Sequence, residues 1–239
     1  VIGYQTTRGC LNKCIYCSLS CQKRGFSRIS NEQLDYDINM LTCKYGLKKV
    51  TFVDDIFNQD LDNTMNLCTQ LQKISSNLKW TCSMTPAFFS EELIACMKIA
   101  GCVFVDLGID SGSDKMLENM GKGFYAEKLI ILADLLKKYQ IPYSVSLLFG
   151  GPGENTKTIP ETINIVNKLN PIYVLAGLGL RIYPKTKLYN IAIKEGIIKK
   201  DDNMLIPKFY SSSEFSIELL KNELTNSKHI YKDMLMNNL

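Results

Sequence analysis

Three cysteines stand within the eight residues 10–17 of one segment, Arg8-Gly9-Cys10-Leu11-Asn12-Lys13-Cys14-Ile15-Tyr16-Cys17, with the spacing C-x3-C-x2-C. Thiolates are soft donors suited to iron–sulfur clusters, and cysteines this close in a loop can wrap one cluster. Three protein ligands on a four-iron cluster leave one iron open to a substrate or cofactor, which a fully ligated electron-transfer cluster does not offer. Free cysteines are more often small buried hydrophobes, but Cys10, Cys14 and Cys17 sit among Arg, Asn and Lys just after an apolar run, which suits a core poorly. Cys21 adds a fourth thiol within residues 10–21, and four thiolates also suit structural zinc. Zinc modules ordinarily pair two C-x2-C units, and this loop has one. A non-catalytic four-cysteine zinc-binding module therefore remains the rival reading of the loop.

The surrounding sequence must supply elements that hold this loop. Apolar runs bounded by turn residues predict strands over residues 1–6, 50–53, 78–82, 103–107, 143–149 and 172–180. Helical periodicity falls between them. Ser30-Asn31-Glu32-Gln33 has the form of a capping box before Leu34, Ile38 and Leu41, and Gly46 marks the stop. Leu61, Met65 and Cys68 share a helical face; Ser90 caps a helix with Glu91 and Glu92 in its first turn, ended by Gly101. Further helices are predicted over 113–120 and 125–139, at Ile159, Ile163, Val166 and Leu169 with Pro160 in the first turn, and over 188–195. Strands alternating with helices predict the α/β class with a parallel sheet. Six of them fit a partial (βα)6 TIM-like barrel over residues 1–187, followed by a short C-terminal helical extension over 188–239.

Sites in such barrels lie at the C-terminal ends of the strands. Asp54 and Asp55, Asp110 with Ser111 and Gly112, the run Gly150-Gly151-Pro152-Gly153-Glu154, and Arg181 all fall there. Each has a plainer use. Asp54 and Asp55 could begin the next helix, a Gly-Pro-Gly turn commonly just closes a loop, and Arg181 could be a surface ion-pair partner. Cys43, Cys68, Cys82, Cys96 and Cys102 are spread singly and are expected in the core, with Trp80, Met84, Phe88 and Phe89 as packing residues.

Bulk properties exclude some functions. The chain has 239 residues and a formal net charge of +4, without a long basic run, so no electrostatic footprint for nucleic acid is evident. No apolar stretch reaches the roughly 20 residues of a membrane span, and no basic-then-apolar leader is present. Nine cysteines, an odd number, suggest a reducing cytoplasm rather than a disulfide framework. The one histidine, His229, lies in a polar tail, which weakens any Ser-His-Asp or His-rich zinc mechanism. The chain opens on Val1 and is expected to be a piece of a longer protein.

The loop resembles the motif of the radical S-adenosylmethionine (SAM) superfamily, C-x3-C-x-aromatic-C, with Tyr16 as the aromatic. The remainder is similar to its cobalamin-associated branch. The elements that carry this are Arg8-Gly9-Cys10, Phe52-Val53-Asp54-Asp55-Ile56-Phe57, Gly108-Ile109-Asp110-Ser111-Gly112-Ser113, the run from Phe149 to Glu154, and Arg181-Ile182-Tyr183-Pro184-Lys185-Thr186. The resemblance covers about residues 1–190. It implies that Cys10, Cys14 and Cys17 ligate a 4Fe–4S cluster whose open iron is chelated by SAM. It places Asp54 and Asp55 at the SAM amino group, Asp110 and Ser111 at the ribose, Gly150, Gly151 and Gly153 against methionine or adenine, and Arg181 at the SAM carboxylate. It names no catalytic side chain. Asp110 stands where the family commonly has Glu, and Lys185 where it has Gly. The implied reaction is reductive cleavage of SAM to a 5'-deoxyadenosyl radical that abstracts hydrogen from an organic substrate, with a reductant such as flavodoxin or ferredoxin. Relatives in this branch often methylate carbon; no cobalamin-binding segment is visible here, and one, where it exists, is expected in a missing domain upstream of Val1. A methylthiotransferase-like enzyme acting on RNA is the alternative within the class, and the mixed charge of the tail argues against it.

Overall fold

The computed structural model describes residues 1–21, 26–74 and 77–225. Chain order runs β1 (Ile2–Tyr4), β2 (Thr7–Arg8), β3 (Ser27–Arg28), α1 (Asn31–Asn39), β4 (Lys49–Phe52), α2 (Leu61–Ile74), β5 (Lys79–Met84) and α3 (Glu91–Ile99). It continues with β6 (Cys102–Asp110), α4 (Asp114–Met120), α5 (Ala126–Lys138), β7 (Tyr143–Phe149), α6 (Thr158–Leu169) and β8 (Val174–Leu178). The last elements are β9 (Leu180–Arg181), α7 (Lys187–Lys194), β10 (Phe209–Tyr210) and α8 (Ile217–Thr225). Six strands form one sheet in the order β1-β4-β5-β6-β7-β8, and the pairings β1–β4, β4–β5, β5–β6 and β7–β8 are all parallel. This is the α/β arrangement expected from the alternating pattern, with the long strands neighbouring one another in chain order.

Local chemistry sets the helix boundaries. The Ser30 hydroxyl accepts from the Gln33 amide at 3.2 Å, and Ser90 does the same for Leu93 at 3.1 Å, each satisfying an amide that the first helical turn leaves without a partner. The first helix does not stop at Gly46 as a plain α-helix; it ends at Asn39 and runs on as a π-helical turn over Met40–Lys44. Gly101 sits at φ +95°, and a Cβ there would come within 2.2 Å of the Leu78 carbonyl oxygen, so only glycine lets α3 turn this tightly into β6.

By contacts the chain gathers into two compact units. The first comprises Val1–Cys10, Gly25–Gly108 and Ile131–Ser144. Its centre is aromatic: Phe52, Phe57 and Trp80 have ring centroids 5.1–5.3 Å apart. The Trp80 indole N–H donates to the Ala100 carbonyl at 2.7 Å, which satisfies its one polar atom in the interior. Met84 is buried as expected, but Phe88 is 37% exposed. The expectation that the scattered cysteines are all isolated core residues also fails. Cys43 is exposed and Cys96 partly so, while Cys68, Cys82 and Cys102 are buried; Cys68 lies in hydrogen-bonding contact with Cys96, because α2 and α3 pack with these two faces together.

The second unit comprises Leu11–Arg24, Ile109–Ile130 and Val145–Leu239. Ile15, Met116, Met120, Leu180, Ile182, Leu188, Ala192, Ile198 and Tyr210 form its buried cluster. Beyond Lys185 the chain is more regular than its composition suggests: α7 starts on a Thr186 cap to the Tyr189 amide (3.1 Å), and β10 pairs antiparallel with β9. His229 and the end of the expected extension lie outside the described residues, as does the side chain of Cys21. Among the described residues no helix is long and apolar enough to cross a membrane.

Candidate functional site

In the first unit the chain leaves β1 and passes Asp54 before it reaches Cys10. The Asp54 carboxylate accepts from the Thr6 amide (2.7 Å), the Thr7 amide (2.6 Å) and the Thr6 hydroxyl (2.6 Å). Asp54 is 4% exposed, and burial pushes its pKa up while the Thr6 and Thr7 donors pull it back. Its neighbour Asp55 is exposed. The Gln59 side-chain amide donates to the Gly9 carbonyl at 3.0 Å, pinning the peptide just before Cys10. β2 pairs antiparallel with β3, Thr7 opposite Arg28 and Arg8 opposite Ser27, which ties the two ends of the cysteine loop together. The loop is therefore held at its base by one carboxylate, one amide and a two-residue ladder.

In the second unit the loop is held at its middle. The Ile15 amide donates to the Met120 carbonyl (3.1 Å) and the Ile15 carbonyl accepts from the Leu188 amide (3.0 Å), so this one residue joins the end of α4 to the start of α7. A Cβ at Gly121 would lie 2.9 Å from the Lys13 carbonyl oxygen, so α4 ends in direct backbone contact with the loop. Cys14 is buried, and Cys17 donates its amide to the Cys14 carbonyl at 3.2 Å. The Tyr16 hydroxyl donates to Asp110 Oδ2 in a short hydrogen bond, and Lys122 Nζ reaches the same oxygen at 2.7 Å. Lys122 and Asp110 are both 7% exposed, so the pair is a buried ion pair. Asp110 adopts φ 64°, a left-handed backbone that Asp tolerates better than most residues. Burial raises the Cys14 pKa, Lys122 and the Tyr16 hydroxyl oppose that rise, and Asp110 adds to it. Burial and then Asp110 push the Tyr16 phenol far above its usual range.

Of the remaining sequence candidates in this unit, Ser111, Gly150 and Gly151 are buried, while Gly153 and Arg181 are exposed. Ser111 Oγ lies 2.7 Å from Thr162 Oγ1, which also accepts from the Gly112 amide at 3.2 Å. Gly112 has no room for a side chain, since a Cβ would sit 2.7 Å from Ile165 Cβ. Gly150 and Gly153 have φ of 92° and 82°, and Gly151 lies between them. Glu154, 1% exposed, folds back on this turn; its carboxylate accepts from the Gly150 amide in a short hydrogen bond, and the Gly151 amide adds to it. Burial pushes the Glu154 pKa up to about 7 against those two amides. Arg181 is exposed, with its guanidinium 4.9 Å from the centre of the Tyr183 ring. Lys13, Ser20, Lys185, Thr186 and Lys187 line an open cavity of about 230 Å³ beside the cysteine loop.

Sequence reasoning passed over Lys122, Thr6, Thr7 and Thr162 as positioning groups, and named Glu154 only as part of its glycine-rich run. The one available signal was Lys122 between two glycines just after α4, where a lysine has few other reasons to be confined. Among the described residues, no three Cys, His, Asp or Glu side chains are already gathered as a metal site. The donor set nonetheless fits an iron–sulfur cluster: three thiols within residues 10–17, none in a disulfide, with a buried lysine near one of them.

Comparison with known proteins gives a consistent picture. The family model described as the radical SAM superfamily matches residues 4–166. An uncharacterised methyltransferase of Pyrococcus horikoshii is 29% identical over 194 residues, covering 81% of this chain and 42% of that protein. A tRNA-2-methylthio-N(6)-dimethylallyladenosine synthase of Natranaerobius thermophilus is 30% identical over 183 residues, covering 71% of this chain and 39% of that one. The solved structure of the radical SAM methyltransferase TsrM from Kitasatospora setae, with cobalamin and a [4Fe-4S] cluster bound, superposes with a TM-score of 0.74 at 22% identity, over 81% of this chain and 36% of that chain. The chain thus spans about two fifths of the length of these curated relatives.

Proposed function

This chain belongs to the radical SAM superfamily, and from that membership we propose that it is the catalytic core of a radical SAM methyltransferase. Cys10, Cys14 and Cys17 would hold a 4Fe–4S cluster, which when bound supplies the electron that cleaves SAM to methionine and a 5'-deoxyadenosyl radical. The observation that carries the reading is the seating of the cysteine loop. Its middle residue Ile15 is bonded on both sides, and Tyr16 and Lys122 meet on the Asp110 carboxylate near Cys14. A loop fixed in this way presents thiols without losing much conformational entropy on loading.

The chain's own groups divide the remaining work. Asp54 has three donors on its carboxylate already, so of the acidic pair the exposed Asp55 is the better candidate for the SAM ammonium, with Asp54 shaping the approach to Cys10. Ser111 and Asp110 are assigned to the ribose, and Gly150, Gly151 and Gly153 offer backbone without side chains. Arg181 stacks on Tyr183 with its fork free to meet a carboxylate. Cobalamin would be held by residues beyond this chain, and residues 1–187 would form the core with 188–239 as its extension. Methyl transfer is favoured by the similarity to the Pyrococcus methyltransferase and to the TsrM fold. A methylthio transfer to RNA is the second reading, favoured by the 30% identity to the tRNA-modifying synthase.

The test is anaerobic reconstitution with iron and sulfide, followed by dithionite and SAM, with 5'-deoxyadenosine as the readout and Cys14→Ala as control. Deoxyadenosine from the parent and none from the variant is expected. A colourless protein that takes up zinc and makes no deoxyadenosine would overturn the proposal in favour of the zinc module.

A further inference from the structure

The first unit contains a second group of thiols, away from the cysteine loop in sequence. Cys68, on α2, is fully buried, and Cys96, on α3, is half-buried. Gln72 lies one turn beyond Cys68 on α2, and its side-chain nitrogen is 3.4 Å from Cys96 Sγ and 3.4 Å from the Cys96 carbonyl oxygen. The Cys68 thiol is hydrogen-bonded to Cys96, with Thr69 beside it. An amide hydrogen and a thiol hydrogen thus converge on one sulfur, while the Thr69 hydroxyl donates to the Met65 carbonyl at 2.9 Å. Near Cys68 lie Cys82 and Cys102, both buried and hydrogen-bonded to one another. Neither Cys68 nor Cys96 belongs to the site described above, and core packing alone would not require an amide and a second thiol to be directed at Cys96.

We infer that Cys96 and Cys68 form a dithiol site for two-electron oxidants of the peroxide class, Cys96 attacking and Cys68 resolving, so that a disulfide closes between α2 and α3. The Cys96 thiolate attacks one peroxide oxygen; the O–O bond breaks, a sulfenic acid forms, and the departing hydroxide takes a proton to become water. The Cys68 sulfur then displaces the sulfenic hydroxyl, which leaves as a second water carrying the Cys68 proton. Two thiols lose two electrons in all and one peroxide becomes two waters. The division of roles follows from the surroundings. Hydrogen bonding to Cys96 and burial push the Cys68 thiol well up, while the Cys68 thiol first and the Gln72 amide with it bring Cys96 down to about 6 against its partial burial. Of the two, Cys96 is both partly accessible and furnished with donors that stabilise a thiolate.

The experiment uses the full chain, reduced and held anaerobically. It is treated with hydrogen peroxide, quenched with N-ethylmaleimide, and mapped by peptide mass spectrometry. A linked pair of peptides carrying Cys68 and Cys96 is expected; it vanishes in Cys96→Ser, and in Cys68→Ala the Cys96 sulfenic acid accumulates and is trapped by dimedone. Iodoacetamide labelling of Cys96 in the unoxidised chain keeps its rate down to about pH 6, whereas a thiol of ordinary acidity loses about tenfold per pH unit below its pKa of roughly 8.5. Peroxide that leaves Cys96 untouched, links that exclude the Cys68–Cys96 pair, or a labelling rate of Cys96 that falls with pH like an ordinary thiol would each overturn the inference. None of these readouts depends on SAM cleavage, so the site stands or falls separately from the proposed activity.

Discussion

Asp54 divides two accounts of the acidic pair at the end of β4, and substitution separates them. Three donors meet on its carboxylate, and Thr6 and Thr7 are each 4% exposed, so water cannot easily replace the lost acceptor. In Asp54→Ala two buried amides and a hydroxyl lose their partner. Each orphaned buried donor costs about 1–3 kcal/mol, and the hydroxyl can rotate toward another acceptor, so the total should be about 3–5 kcal/mol. Asp54→Asn is different. Its amide oxygen can occupy the position of Oδ1, which takes both backbone amides, while its NH2 faces Thr6 Oγ1, which can turn to accept. That variant should cost about 1 kcal/mol. Urea unfolding gives both numbers from the shift in midpoint at constant slope, and SAM binding to the reconstituted chain is measured beside it. The structural account expects Asp54→Asn to keep both stability and SAM affinity while Asp54→Ala loses stability. Equal destabilisation by the two variants would refute the bonding argument. A stable Asp54→Asn chain that no longer binds SAM would return the ammonium-binding role to Asp54 itself.

The buried groups elsewhere make further checks. Glu154 has its folded pKa raised to about 7 from an ordinary value of 4.5, so the folded state holds a proton that the unfolded state has released. Stability should therefore be highest below about pH 4.5, fall between there and about 7, and level off above; the loss should be about 3 kcal/mol, and Glu154→Gln should abolish that slope in unfolding titrations. Lys122→Met should destabilise the chain by about 3–5 kcal/mol by leaving Asp110 as an uncompensated buried charge, and adding Asp110→Asn should recover most of it; a purely additive double variant would refute the pairing. Lys185 adopts φ 69° and is exposed, so Lys185→Gly should stabilise by about 1 kcal/mol, read as a rise in Tm.

Much of this architecture can be read from residue order because the signals are local. Ser30 and Ser90 announce their helices through a side-chain oxygen placed three residues before the amide it accepts, and each buried strand is an apolar run with turn residues at its ends. The loop Cys10 to Cys17 is similarly legible, since all its donors lie in one short stretch. What the sequence could not disclose is which polar atoms meet across long separations. Asp54 with Thr6 is 48 residues apart, Asp110 with Tyr16 is 94, and Ser111 with Thr162 is 51. In each case a single sequence supplies a plausible polar residue and no sign of its partner. The same blindness hid β10 behind a polar stretch, and it made Cys68 and Cys96 look solitary although α2 and α3 bring them together.

Lys185 holds a left-handed backbone that would suit glycine better. At φ 69° glycine is the least costly residue at this position. Lysine accepts the strain and places a cation beside Lys13 and Lys187 on the rim of the cavity next to the cysteine loop. Asp110 adopts a similar left-handed backbone at φ 64°, yet its carboxylate is engaged by Tyr16 and Lys122. The Asp110 carboxylate is thus held back against its own anchors. Replacing Asp110 with Glu in this chain should then loosen the Tyr16 contact, and a fall in cluster iron content without loss of the folded core would mark that contact as the one that seats the cysteine loop.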